Sequence, residues 1–197
     1  MNSSLLVYKA NNKANNKVAT LLTIVGAVLL LVNVLLVQQN KKLQVLASRP
    51  DRALEARPGT ALPPLEGIDS DGNRRRVGYG QDSRKTVLMV FSPRCGACEE
   101  AMPTWDAIIN GLDPRAFQIA AISLQPEGVK EYASRRGINR IPILTKIDSK
   151  YRVAYNLALT PQIILIDSGG KVEKVWTGVL RKEAQQEVEQ ALNVRLP

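Results

Sequence analysis

Residues 87–103, VLMVFSPRCGACEEAMP, decide how the chain folds. The unbroken apolar run Val87 to Phe91 predicts a central strand covered on both faces, because a strand with one wet face would alternate apolar and polar residues. Ser92-Pro93 ends the strand, and a helix is expected to start beside the two cysteines. Cys95 and Cys98, spaced i and i+3, share one helical turn, close enough for an intramolecular Cys95–Cys98 disulfide. Free backbone N–H groups and the positive end of the helix dipole favour a thiolate there. Arg94 adds a positive charge. These features make Cys95 the attacking thiol and Cys98 the resolving thiol. The expected chemistry is exchange through a mixed disulfide on Cys95, which Cys98 then breaks.

Other uses of the pair fit less well. The chain has only these two cysteines and no histidine, so a zinc site would need ligands from a second copy. Two inert structural cysteines would not call for this spacing or the flanking charge. The missing histidine excludes Ser-His-Asp chemistry, and no glycine-rich phosphate loop is present. No metal or cofactor is expected.

The segment resembles the thioredoxin superfamily, which places Cys-x-x-Cys at the start of the helix after a central strand. Pro103, five residues after Cys98, matches the proline that kinks that helix. Thr160-Pro161, before the apolar stretch Gln162 to Asp167, matches the family's cis-proline, and X-Pro bonds alone have a low cis cost. The resemblance implies that Thr160 and Pro161, with Arg94 beside the thiols, bind extended substrate. Several positions depart from the pattern. Met89 stands where many thioredoxins carry a buried Asp, Arg94 where a Trp is usual, and Gly96-Ala97 where Gly-Pro is common. TlpA/ResA-like members often carry a Glu three residues after the second Cys. Ala101 occupies that position here, which leaves Glu100 as the candidate proton acceptor for Cys98. Ser-Pro-x-Cys-x-x-Cys is also similar to the membrane-anchored, MauD-like proteins of amine dehydrogenase maturation.

Around this centre the chain predicts an α/β domain with a mainly parallel sheet. Residues 62–77 read as a β-hairpin with a Gly-containing turn, similar to the N-terminal extension of TlpA/ResA-like domains. A strand over Phe117 to Leu124, a helix over Glu127 to Arg136 closed by Gly137, and a strand over Ile141 to Ile147 follow. Ser149 is the expected cap of a helix containing Tyr151 to Leu157. Gln162 to Asp167 and Lys171 to Trp176 form a closing hairpin, and Arg181 to Leu192 the last helix. Trp105 and Trp176 are expected in the core. The resemblance covers roughly residues 59–194.

The N-terminal third reads differently. Residues 1–17 form a polar tail. Val18 to Val37 carries no charge over twenty residues, long enough to span a bilayer and too long for the core of a cleavable signal peptide. It is expected to be a single transmembrane anchor, followed by a stalk over residues 38–58 and a thioredoxin-like domain over 59–197. The net charge is +9. Of this, +6 lies in residues 1–57 and only +3 in the remaining 140 residues, so the excess is juxtamembrane and a nucleic-acid partner is not expected. Arg74-Arg75-Arg76 reads as a solvated strand end. Three lysines precede the span and five basic residues follow it, so the charge count by itself favours the opposite orientation. The resemblance instead implies a thiol domain on the periplasmic side of a bacterial inner membrane. It implies partners of two kinds: client proteins with cysteines, such as an apocytochrome c or a maturing dehydrogenase, and a membrane electron donor. Reduction of client disulfides is the leading expectation. Oxidation or isomerisation on the same fold, and a soft-metal or chaperone module using the pair, are the alternatives.

Overall fold

The computed structural model describes residues 24–39 and 56–197. The polar tail, the first six residues of the expected span and residues 40–55 of the stalk lie outside the described residues. Residues 24–39 are helical and are taken here as α1. Its apolar side chains point outward, with Leu30 71% and Leu31 65% exposed. The Asn33 side-chain amide donates back to the Leu29 carbonyl at 2.9 Å. Among the described residues no helix is long and apolar enough to cross a membrane.

The C-terminal unit is built on strand β3 (Lys85–Phe91), whose residues Thr86 to Phe91 are all buried. Pleating sends Val87, Met89 and Phe91 to one face of the sheet and Leu88 and Val90 to the other. Each such side chain contributes about 1.5–3 kcal/mol when fully buried, which is why the run tolerates no polar break. Six more strands complete the sheet: β1 (Leu65–Asp69), β2 (Arg74–Val77), β4 (Phe117–Ser123), β5 (Ile143–Ile147), β6 (Gln162–Ile166) and β7 (Val172–Thr177). Their order is β2-β1-β5-β4-β3-β6-β7.

The sheet is mixed rather than mainly parallel. Only β3–β4 and β4–β5 run parallel; β1–β2, β1–β5, β3–β6 and β6–β7 are antiparallel. Strand–helix alternation dictates parallel pairing only where a helical crossover joins the strands. The two hairpins, read correctly as hairpins, attach at the outer strands with the opposite sense.

Helices α2 (Gly96–Gly111), α3 (Val129–Arg136) and α5 (Lys182–Leu192) cover the Met89 face. Trp105 and Trp176 are both buried in that layer. Gly137 ends α3 in the left-handed conformation (φ 69°), and its N–H returns to the carbonyls of Ala133 and Ser134. Helix α4 (Ser149–Ala154) lies over the opposite face, where Tyr151 and Tyr155 join Leu88 and Val90. Its cap is Asp148, not Ser149: the Asp148 carboxylate accepts from the Lys150 N–H at 2.9 Å. A charged acceptor one residue earlier outcompetes the hydroxyl.

The same face holds a closed polar network. The Tyr155 hydroxyl donates to the Pro63 carbonyl and lies 2.7 Å from the Tyr79 hydroxyl. Since Tyr155 has one proton to give, Tyr79 is the donor of the second bond. Burial holds Tyr79 up at about 12 and raises Tyr155 further, so both remain phenols. At the sheet edge, Asp69 accepts from the Asp71 and Asn73 N–H groups at 2.9 Å and from Arg75 Nε at 2.8 Å, which fixes the β1–β2 turn. Arg75 and Arg76 are thus spent on Asp69 and Glu66. Gly67 lets β1 approach β5, since a Cβ there would lie 2.8 Å from the Lys146 carbonyl oxygen.

Candidate active site

The C-terminal end of β3 delivers the chain into a tight turn over Ser92 to Arg94. Ser92 organises it. Its hydroxyl donates to Gln125 Oε1 at 2.9 Å and accepts from the Arg94 N–H at 3.4 Å. Its carbonyl accepts from the Cys95 N–H at 3.1 Å. Gln125 belongs to the loop after β4, so neighbouring parallel strands cooperate to position the turn. The sequence marked Ser92 only as the end of the strand and part of Ser-Pro-x-Cys-x-x-Cys, and gave no signal for Gln125, two residues beyond β4.

Cys95 caps α2. It is extended (φ −96°, ψ 110°), and its sulfur accepts from the Cys98 N–H at 3.2 Å. The side chain is half-buried, whereas Cys98, one turn further in, has no exposed surface. Both are free thiols. Pro103 lies inside the helix two turns from Cys95. On the far side, the Thr160–Pro161 bond is cis, and the Thr160 carbonyl lies 3.6 Å from Cys95 Sγ, close enough to accept from the thiol. The structure therefore brings together Cys95, Cys98, Thr160 and Pro161 from segments 65 residues apart.

The two thiols are driven apart in acidity. At Cys95, burial pushes the thiol up. Hydrogen bonding to the sulfur from the Cys98 and Thr160 side chains, and from the Cys98 and Ala97 backbone N–H groups, outweighs it, so the net shift is downward. At Cys98, burial, the hydrogen bond with Cys95 and the charge of the Cys95 thiolate push the thiol up to about 12. The accessible sulfur is therefore the more acidic of the two and ionises first, above a thiol that keeps its proton up to about 12.

Two expected residues, Glu100 and Arg94, are exposed. Glu100 lies two residues from Cys98, about 200° round the helix. Glu99, its neighbour, is engaged by Arg136 and by Arg135 at 3.8 Å, which ties α2 to the end of α3. Arg94 is exposed, and the groups that lower Cys95 against its burial are hydrogen-bond donors. Arg94 lines a groove of about 400 Å³ with Pro93, Glu127, Glu131, Tyr132 and Arg135. Met89, fully buried, occupies the position beneath the thiols where a carboxylate was absent from the sequence. Among the described residues no group of three or more His, Cys, Asp or Glu is arranged around a metal ion.

No model of a known protein family matches the chain. It is 27% identical over 127 residues to the thiol-disulfide oxidoreductase ResA of Geobacillus thermodenitrificans, a match covering 64% of this chain and 72% of that protein. Among solved structures it is similar in fold to a thioredoxin-family thiol:disulfide interchange protein from Chlorobium tepidum, with TM-score 0.56, 22% identity, and coverage of 70% of this chain and 98% of that one. It is also similar to StoA from Bacillus subtilis, with TM-score 0.51, 19% identity, and coverage of 66% and 98%. The fold is thioredoxin-like, and the dithiol at the start of α2 supplies the groups that thiol–disulfide exchange requires. In sequence it is similar to the ResA thiol-disulfide oxidoreductases, at 26–27% identity over 127 residues.

Proposed function

We propose that this protein is a membrane-tethered reductase of disulfides in extracytoplasmic client proteins. Residues 18–37 would hold its thioredoxin-like domain at the periplasmic face of a bacterial inner membrane. The single observation that carries exchange through Cys95 is the division between the thiols, with Cys95 shifted down by hydrogen bonds and Cys98 held up at about 12; reduction as its direction rests on the family resemblance. A strong oxidant of this fold stabilises its reduced form through its thiolate. Here Cys98, held up at about 12, adds no second thiolate to that stabilisation.

In the proposed cycle the Cys95 thiolate attacks a client disulfide, and one client sulfur leaves as a thiolate. Cys98 then attacks Cys95 Sγ, forms the Cys95–Cys98 disulfide and releases the second client thiol. Two electrons have passed to the client, so a membrane electron donor must reduce the pair again. The exposed apolar surface of α1 and the uncharged run that contains it support the tether. An apocytochrome c or a maturing dehydrogenase is the client class suggested by the family resemblance.

The test is the reduction potential of the full-length protein in detergent, measured against glutathione and dithiothreitol buffers. A value at or below about −270 mV is expected, and a value near −120 mV would reverse the direction. Labelling of Cys95 in intact cells by a membrane-impermeant maleimide tests the location, and protection until lysis would overturn it.

A further inference from the structure

Tyr132, in the middle of α3, is 2% exposed. Its ring stacks on Phe91 at 5.4 Å between centroids, and the Arg135 guanidinium sits 5.7 Å from the ring centre. A phenylalanine would make every one of these contacts. What phenylalanine lacks is the hydroxyl, and that hydroxyl is buried without a hydrogen-bond partner. Buried polar groups are nearly always paired, so an unpaired one calls for an explanation.

Its surroundings supply one. Tyr132 belongs to the same buried cluster as Cys98, Met89 and Phe91, and Cys95 packs against that cluster. Phe91, its stacking partner, immediately precedes the turn that carries the thiols. During resolution the Cys98 sulfur must become anionic in this desolvated space. Met89 offers it no hydrogen bond, Glu100 is exposed, and Glu99 is committed to Arg135 and Arg136.

We infer that the Tyr132 hydroxyl is the hydrogen-bond donor that stabilises the Cys98 thiolate as it attacks the mixed disulfide, directly or through one bridging water. Tyr132 keeps its own proton. Burial and the charges of Cys98 and Cys95 hold it up at about 12, so it donates and does not act as a base. The Cys98 proton ends on the departing client sulfur. One S–S bond forms between Cys98 and Cys95, the bond from Cys95 to the client breaks, and the client sulfur leaves with the electron pair and is protonated. The inference rests on exchange chemistry and not on its direction, so a potential that reversed the proposed direction would leave it standing.

The test uses the full-length protein with dithiobis(nitrobenzoate). The first thionitrobenzoate released reports attack by Cys95, and the second reports resolution by Cys98. In Tyr132→Phe the first phase is expected to be unchanged. The second should slow about tenfold and move to higher pH by about one unit. An unchanged second phase and pH profile would overturn the inference, as would equal slowing of both phases. Tyr155→Phe removes a buried hydroxyl from the opposite face of the sheet. If it slowed the second phase as much, the effect would be general and the inference would fail.

Discussion

Two buried tyrosines, one on each face of the sheet, are used in opposite ways. Tyr155 donates to Pro63 and accepts from Tyr79, and its hydroxyl is a structural tie between α4 and the segment before β1. Tyr132 has an equally buried ring but a hydroxyl with no partner, in the cluster that contains Cys98. The difference shows how a fold of this size separates support from chemistry. The supporting face completes its polar network. The reactive face leaves a donor uncommitted where charge appears transiently, because a donor already engaged could not respond to it.

The largest effect expected is at the thiols themselves. Cys95→Ser should abolish exchange. Cys98→Ser should accumulate mixed disulfides, visible on non-reducing gels. Iodoacetamide should separate the pair: Cys95 should be alkylated at pH values below the ordinary cysteine range, with Cys98 still unmodified there. Equal titration of both would erase the division on which the mechanism rests.

Next in size are the two hydroxyls, compared by urea unfolding. Tyr155→Phe leaves the Pro63 carbonyl and Tyr79 without their partner and should cost about 1–3 kcal/mol. Tyr132→Phe removes only an unpaired group and should cost nothing or stabilise. A reversed order would break the comparison.

A smaller effect is expected at the supporting edge of the sheet, where Asp69 is depressed from 3.8 to about 2 by the hydrogen bond from Arg75 and the N–H groups of Asn73 and Asp71. A carboxyl depressed on folding contributes stability above its unfolded pKa and loses it as pH falls through the folded one. Asp69→Asn should therefore be less stable than the parent at pH 5, and the gap should close towards pH 2. A gap that stayed constant with pH would remove the carboxylate charge from the hairpin's support. The smallest effect expected is that of Glu100→Gln. With the side chain exposed and on another face of α2 from Cys98, the second thionitrobenzoate phase should change by less than about twofold. A large slowing would restore Glu100 to the mechanism and weaken the case for Tyr132.

Much of this was legible in one dimension. The run Val87 to Phe91 could only be a doubly covered strand. The two hairpins were marked by Asp-Gly and Ser-Gly-Gly turns, and Gly137 marked a helix end. The thiol pair was read from spacing, and Pro161 from its match to the cis-proline of the thioredoxin resemblance. What misled was information that a linear pattern does not contain. Strand sense at the outer pairs depends on which edge a hairpin reaches. Asp148 and Ser149 are both good caps, and only backbone geometry chose between them. Glu100 is near Cys98 in sequence, and its side chain is exposed.

The sequence by itself determined the dithiol, its strand–turn–helix setting and the order of attack. Those follow from local spacing and from the dipole and free N–H groups of a helix start. Only the tertiary structure decided which groups surround the thiols. Thr160 is brought to Cys95 from 65 residues away, and Tyr132 is buried in the cluster of Cys98 with its hydroxyl unspent. The acidity of a thiol depends on its desolvation and on donors that reach it through space, and neither is set by neighbours along the chain.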